Sequence, residues 1–256
     1  MFIRHKKGDI SLRLLIEFDY DRSNYPEIRL PIHYNYLLQG MIYRSLEAEF
    51  AKNLHDRGFP GGGRFFKLFT FSRLIGEYRM AGKEIRFKDK IRLIVSSPVD
   101  QFCQSLLNGL LSRGMVQLGP MELIAGSIRA DKPQVDGELL KIKTLSPVIA
   151  YSTLLKPDGG KYTCYFQPGE KEFTRIAGEN LRKKYQALFN REAPVGEIGI
   201  RTLQPPRMHV LEYKGLVVKG YTGMLEIKGP KELLQVALDV GVGSKNSMGF
   251  GCAEKV

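Results

Sequence analysis

Residues that build metal and disulfide sites are scarce in this 256-residue chain. The three cysteines, Cys103, Cys164 and Cys252, are odd in number and far apart, so neither a disulfide framework nor a thiolate zinc site is indicated. The four histidines are equally dispersed, and chemistry without a metal or other cofactor is expected. Long apolar runs are missing too. The uncharged stretch Thr144 to Leu155 falls short of the roughly 20 residues that a bilayer span needs, and it contains Pro147. The segment Met1-Phe-Ile-Arg-His-Lys-Lys-Gly-Asp9 has the charges of a signal peptide but no apolar core behind them. Ser11 to Asp19 reads instead as a strand broken by Arg13 and Glu17. A cytoplasmic protein with no membrane partner is expected. Acidic residues are also in deficit. Against 39 Lys and Arg stand 27 Asp and Glu, a formal net charge of +12 that favours nucleic acid as the anionic partner.

What is present is arranged twice. Lys90 to Ser97 is a strand rich in Ile, Leu and Val, followed by Pro98, a residue suited to a first helical turn. Val99 to Leu111 then carries Phe102, Leu106, Leu107, Leu110 and Leu111 at helical spacing. Half a chain later the order returns: Gly220 to Lys228 as a strand, Pro230, and an apolar face of Leu233, Leu234, Ala237, Leu238 and Val240. Each half also has an earlier strand and a longer helix, Ser11–Asp19 with Tyr34–Ala51 and Leu139–Leu145 with Glu172–Phe189. Strand, helix, two strands, helix, strand is the split βαβ plan. The expected fold is α+β: tandem ferredoxin-like (RRM-like) domains, antiparallel sheets with helices on one face. The division expected is 1–130 and 131–256, in a stretch holding Asp131, Pro133, Asp136 and Gly137. A single mixed α+β domain is the alternative that element order leaves open.

The aromatic hexamer and octamer with which such sheets stack RNA bases are absent. Basic residues gather instead in hairpins, Arg79, Lys83, Arg86, Lys88 and Lys90 in one, and Arg201, Arg207, Lys214 and Lys219 in another. Such hairpins either follow a phosphate backbone or are solvated strand edges. Near the end lies Gly241-Val-Gly-Ser-Lys-Asn-Ser-Met-Gly-Phe-Gly251. Gly241, Gly243, Gly249 and Gly251 bracket Ser244, Lys245 and Asn246, so exposed N–H groups and one lysine read as a phosphate grip. The nucleotide P-loop spacing is absent. A plain tight connection into a last strand is the other reading.

Candidate chemistry concentrates between His33 and Lys67. Leu38, Met41, Ile42, Leu46 and Phe50 mark the buried stripe of a helix, with Tyr43 at its edge. His55 follows in a polar segment before Gly58–Gly63, and an imidazole suits proton transfer. Lys67 lies in the β-prone run Arg64–Ser72, where alternation puts Phe65, Lys67 and Phe69 on one face. One unbroken helix from Tyr43 to His55 would separate them by roughly 18 Å. A shared site therefore requires a break near Glu49–Asn53, where neither proline nor glycine forces one.

Over nearly its whole length the chain resembles the CRISPR-associated repeat-processing endoribonucleases of the RAMP superfamily. The likeness rests on His33-Tyr-Asn-Tyr-Leu-Leu-Gln-Gly-Met-Ile-Tyr43, Leu54-His55, Lys67-Leu-Phe-Thr-Phe-Ser72 and the terminal Gly241-x-Gly-x5-Gly-Phe-Gly251. The resemblance implies tandem ferredoxin-like domains and a catalytic set falling on Tyr43, His55 and Lys67, with Arg64 as the substitute cation. It implies RNA binding through Gly241, Gly243, Ser244, Lys245, Asn246, Gly249 and Gly251. The reaction implied is metal-independent cleavage of precursor CRISPR RNA, in which the 2′-OH attacks phosphorus to leave a 2′,3′-cyclic phosphate and a 5′-hydroxyl. His55 as general acid with Tyr43 as base is the favoured order, although a tyrosine of ordinary pKa, about 10, is a poor base at neutral pH. The alternative within the family is a non-catalytic subunit gripping guide RNA. Effector-complex subunits and a second copy of the chain are further partners compatible with the resemblance.

Overall fold

The computed structural model describes residues 12–155, 157 and 159–256. Met1–Asp9, read above for its signal-peptide charges, and Ser11, read as the start of the first strand, lie outside the described residues. The helices are α1 (Asn35–Ser45), α2 (Ala48–Asp56), α3 (Asp100–Arg113), α4 (Lys171–Phe189) and α5 (Lys231–Val240). In the first half the sheet runs Thr70–Phe71, Ile91–Ser97, Leu12–Asp19, Met121–Asp131, with Met115–Leu118 on the far edge. Its neighbouring strands pair antiparallel. The second half repeats the order as Gly199–Thr202, Met224–Lys228, Leu139–Thr144, Ala253–Lys255. In both sheets the first of the four in sequence lies between the third and the fourth, as a split βαβ unit requires. The fold is α+β with tandem ferredoxin-like units, as the element order had indicated.

Alternation builds the cores. Leu14, Ile16 and Phe18 turn one face of the first strand against Leu38, Met41 and Ile42 of α1 and Phe102, Leu106 and Leu110 of α3. Leu140 and Ile142 do the same against Phe173, Ala177 and Leu181 of α4 and Leu233, Leu234 and Ala237 of α5. Each such leucine, isoleucine, methionine or phenylalanine side chain, fully buried, contributes about 1.5–3 kcal/mol.

Three expectations need correction. The helix expected over Tyr34–Ala51 is two, because Leu46 and Glu47 are extended (ψ 160° and 137°). The cause is tertiary. A Cβ on Gly109 of α3 would lie 1.8 Å from the Ser45 carbonyl oxygen, so α3 approaches the end of α1 too closely for the next helical turn to continue. Arg113 donates to the Arg44 carbonyl and Ser105 Oγ accepts from the Glu47 N–H at 2.7 Å, satisfying groups that a helix end leaves open. The strand expected over Gly220–Lys228 divides at Gly223, whose N–H donates to Thr144 Oγ1 at 2.9 Å. Upstream, Leu216–Thr222 pairs instead with Arg207–Tyr213 as a separate hairpin, and only Met224–Lys228 joins the sheet. Finally, the run Arg64–Ser72 is not one strand. Leu68 adopts φ 51°, breaking the alternation between the strands Arg64–Phe66 and Thr70–Phe71. A buried leucine there is strained by about 1–3 kcal/mol, and such strain gathers at functional sites.

Candidate active site

The break after α1 brings its last turn beside the last turn of α2. The Tyr43 and His55 rings meet edge-on, centroids 5.8 Å apart at 80°. The break that a shared site demanded thus exists, at Leu46–Glu47 and not at Glu49–Asn53. Tyr43 also packs edge-on against Phe69, 5.9 Å between centroids. The turn at Leu68 directs Lys67 back toward α2, where its Nζ donates to the His55 carbonyl oxygen at 2.5 Å. His55 is well exposed, and its Nδ1 lies 3.0 Å from Asp56 Oδ1. That hydrogen bond, with the charges of His55, Lys52 and Lys67, holds the Asp56 carboxyl below its ordinary range. Partial burial lowers Lys67, opposed by the Asp56 charge. Burial, with Tyr213 nearby, pushes the Tyr43 phenol well above its ordinary value. The three sequence candidates are therefore neighbours: a phenol that keeps its proton at neutral pH, an accessible imidazole and a lysine.

Lys67 opens onto a cleft of about 250 Å³ that the terminal loop also lines, through Ser244, Lys245, Asn246 and Ser247. Arg64 lines the same cleft, while Lys67 is the cation bonded to the His55 segment. Lys245 Nζ sits 5.1 Å above the Tyr151 ring. The four glycines are sites of close approach inside the protein. All are buried. A Cβ would lie 2.7 Å from Asn246 Nδ2 at Gly241 and 2.2 Å from the Ile149 carbonyl at Gly243. At Gly249 it would meet the Phe71 ring at 2.4 Å, and at Gly251 the Val242 carbonyl at 2.1 Å.

The loop N–H groups are largely spent inside. Val242 donates to the Gly251 carbonyl at 2.9 Å, Ser244 to Ile149 at 2.8 Å and Gly251 to Pro147 at 2.9 Å. Its carbonyls turn inward to side-chain donors. Asn246 Nδ2 reaches the carbonyls of Val242 (3.3 Å) and Phe250 (3.0 Å). From the first half, Asn35 Nδ2 binds the Met248 and Gly249 carbonyls, each at 3.1 Å, Gln39 Nε2 binds Ser247 at 2.7 Å and Thr70 Oγ1 binds Phe250 at 3.0 Å. The loop is thus a brace between the halves, and only Ser244, Lys245, Ser247 and Met248 retain intermediate exposure.

Sequence reasoning missed Lys184. It is 1% exposed, and its Nζ donates to the carbonyls of Gly241 (2.7 Å) and Gly243 (2.9 Å). Burial brings it down to about 7. Its signal was a cation in the α4 stripe Phe173, Ala177, Leu181, Leu188. Missed too were the ion pairs that neutralise much of the first basic hairpin. Arg79 and Arg86 share the buried Glu27 at 3.0 and 3.2 Å, and Lys90 binds Glu17 at 3.0 Å. In the second cluster Arg201 binds Glu226 at 2.5 Å.

Comparison with known proteins matches both halves of the chain to one family. Residues 29–129 match the family model for the CRISPR-associated protein Cas6, N-terminal, and residues 130–255 match that for the CRISPR associated protein Cas6, C-terminal. CRISPR-associated endoribonuclease Cas6 1 of Methanocaldococcus jannaschii is 28% identical, covering 94% of this chain and 92% of its own. CRISPR-associated endoribonuclease Cas6 of Pyrococcus furiosus is 29% identical, covering 93% and 86%. A solved CRISPR associated protein Cas6 aligns with a TM-score of 0.77 at 25% identity over 96% of this chain and 99% of the other. A Cas6-related protein from Pyrococcus furiosus shares the fold, with a TM-score of 0.82 at 19% identity over 96% and 98%. With both halves matched in order and the paired units in place, this chain belongs to the CRISPR-associated Cas6 family.

Proposed function

We propose that the chain is a cytoplasmic endoribonuclease that cuts precursor CRISPR RNA within its repeats, without a metal, leaving a 2′,3′-cyclic phosphate and a 5′-hydroxyl. The observation that carries this reading is the meeting of Tyr43, His55 and Lys67, of which Lys67 lines a cleft shared with Lys245. In-line attack by the 2′-oxygen forms a bond to phosphorus while the bond to the 5′-oxygen breaks. The leaving oxygen needs a proton, the attacking hydroxyl must lose one, and the phosphorane needs a cation. Lys67 supplies the charge. His55, exposed and beside Asp56, is the proton-transfer group, delivering its proton to the 5′-oxygen. The raised phenol of Tyr43 speaks against its use as a base, so Tyr43 orients the ribose or phosphate as an O–H donor. The 2′-OH proton passes to solvent at this open site.

The first half carries the chemistry, and the second contributes Ser244, Lys245 and the brace that holds them. Names of the relatives quoted above support RNA cleavage. Cleavage of repeat RNA in EDTA, with a 2′-deoxy control at the scissile nucleotide, tests the reading. Activity should persist with chelator, vanish with the 2′-deoxy RNA and yield cyclic phosphate ends. Loss in EDTA with rescue by magnesium would overturn the mechanism, and tight binding with no cleavage would favour a guide-RNA grip.

A further inference from the structure

A second cationic site lies where the two halves meet. Arg73 follows the edge strand Thr70–Phe71, and its backbone N–H donates to the Leu145 carbonyl at 3.0 Å. Thr144, before Leu145, donates its N–H to the Gly223 carbonyl at 3.0 Å and receives the Gly223 N–H on Oγ1 at 2.9 Å. Gly223 follows Thr222, which faces Arg207 across the hairpin and whose Oγ1 lies 2.7 Å from His209 Nε2. Arg73, Arg207 and His209 are thereby brought within electrostatic reach of one another, with Tyr34 and Tyr78 beside Arg73. Burial and the two arginines push His209 down to about 4, so the cluster holds two fixed charges and a neutral ring.

Arg73 is only partly exposed, yet among the described residues its guanidinium finds no acceptor, and neither Arg73 nor Arg207 has a carboxylate in ion-pair reach. Nearby Arg79 and Arg86, by contrast, share Glu27. A guanidinium withdrawn from water without a partner is unfavourable, and an anion relieves it. Tyr78 is 58% exposed, a free surface for a base.

We propose that Arg73 and Arg207 bind a phosphate of the RNA strand and that Tyr78 stacks a base beside it, forming a single-strand site distinct from the cut. The inference rests on the endoribonuclease reading for the identity of the strand. Three elements join the two sites. The segment from Lys67 to Arg73 reaches at most about 20 Å. Tyr34, which caps α1 and accepts the Leu74 N–H at 3.1 Å, is separated from Tyr43 by a helical rise of roughly 14 Å. The strand starting at Arg207 ends at Tyr213, which donates to Gln39, one helical turn before Tyr43. A gap on the order of 14–20 Å is one that a few nucleotides of extended strand can cross.

The test is anisotropy binding of 2′-deoxy-blocked repeat RNA to the full chain across a salt series. Arg73→Gln and Arg207→Gln should each lower the log–log salt slope by about 0.7 and weaken binding about fourfold near 0.15 M salt. Arg73→Lys should keep the slope. Tyr78→Ala should weaken binding about fivefold or more without changing it. Trimming the RNA from one end, with the scissile nucleotides kept, should make the arginine variants and wild type bind alike. Unchanged slopes in both glutamine variants would overturn the site. So would an equal loss with RNA trimmed to the scissile dinucleotide, which would move the arginines to the cut or to folding. Wild type is assayed in parallel on cleavable RNA. Failure to cleave there sinks the endoribonuclease reading, while the slopes still judge this site.

Discussion

At the scale of single residues, the proposed site consists of two rings and an amine whose surroundings differ. His55 stands in water beside Asp56, whereas Tyr43 is wedged between His55 and Phe69. Replacing His55 with Ala should lower the single-turnover rate by about 10²–10⁴ while leaving RNA affinity nearly intact. Filter binding beside cleavage decides it, and wild-type rates in the variant would remove His55 from the mechanism. Tyr43→Phe should lower the rate without reshaping its pH profile, because the phenol stays protonated through the neutral range. Lys184 gives a stability signature. Its folded pKa, about 7, lies below the roughly 10.4 of an unfolded lysine, so between these values the unfolded chain binds more protons. Stability therefore gains from this group as pH rises from about 7 to about 10.4, and Lys184→Met should flatten that part of the curve in urea titrations. Tyr43, His55 and Lys67 were legible as candidates because each stands out from its local pattern. The roles were less so. Tyr43's burial depends on Phe69 and Tyr213, residues distant in sequence, and no local pattern reports them.

At the scale of elements, long periodic segments were readable and their interruptions were not. Glu172–Phe189 and Leu139–Leu145 fall within a residue of α4 and the strand Leu139–Thr144, since apolar spacing alone defines them. The corner after α1 is written elsewhere, in Gly109, which lets α3 press on the Ser45 carbonyl. Gly109→Ala should therefore act at a distance. Its Cβ has no room, the corner must move, and overpacking of this kind costs about 1–3 kcal/mol. A shift of about 1 Å between Tyr43 and His55 can lower the rate by about 10²-fold. The expected result is a lower Tm together with a rate loss larger than the unfolded fraction accounts for. A variant that melts early but retains full activity when folded would separate the corner from catalysis. The division at Gly223 was hidden for a similar reason, because its partner is Thr144 in another strand.

At the scale of the whole molecule, the terminal loop couples the halves and exposes little of itself. Two substitutions distinguish bracing from binding. Lys245→Ala should leave Tm unchanged and lower the salt slope of RNA binding by about 0.7, one single-strand phosphate contact. Gly249→Val should mainly destabilise. At φ 84°, with Phe71 and Asn35 already at contact, a β-branched side chain should cost about 2–4 kcal/mol. Calorimetry beside binding checks both, and a Gly249→Val protein of wild-type Tm with weak RNA binding would return the glycines to the ligand. The tandem plan itself was legible from element order, whereas the brace was not, because its donors Asn35, Gln39, Thr70 and Lys184 come from three other segments. This arrangement has a consequence for how such a chain can change over generations. The glycine loop is held by packing, while in the proposed mechanism proton transfer rests on an exposed histidine whose ring meets Asp56 and the edge of Tyr43. In the proposed mechanism catalysis can therefore be lost in one substitution with the scaffold and its basic cleft intact, so an intact glycine loop leaves the chemistry to be read at position 55.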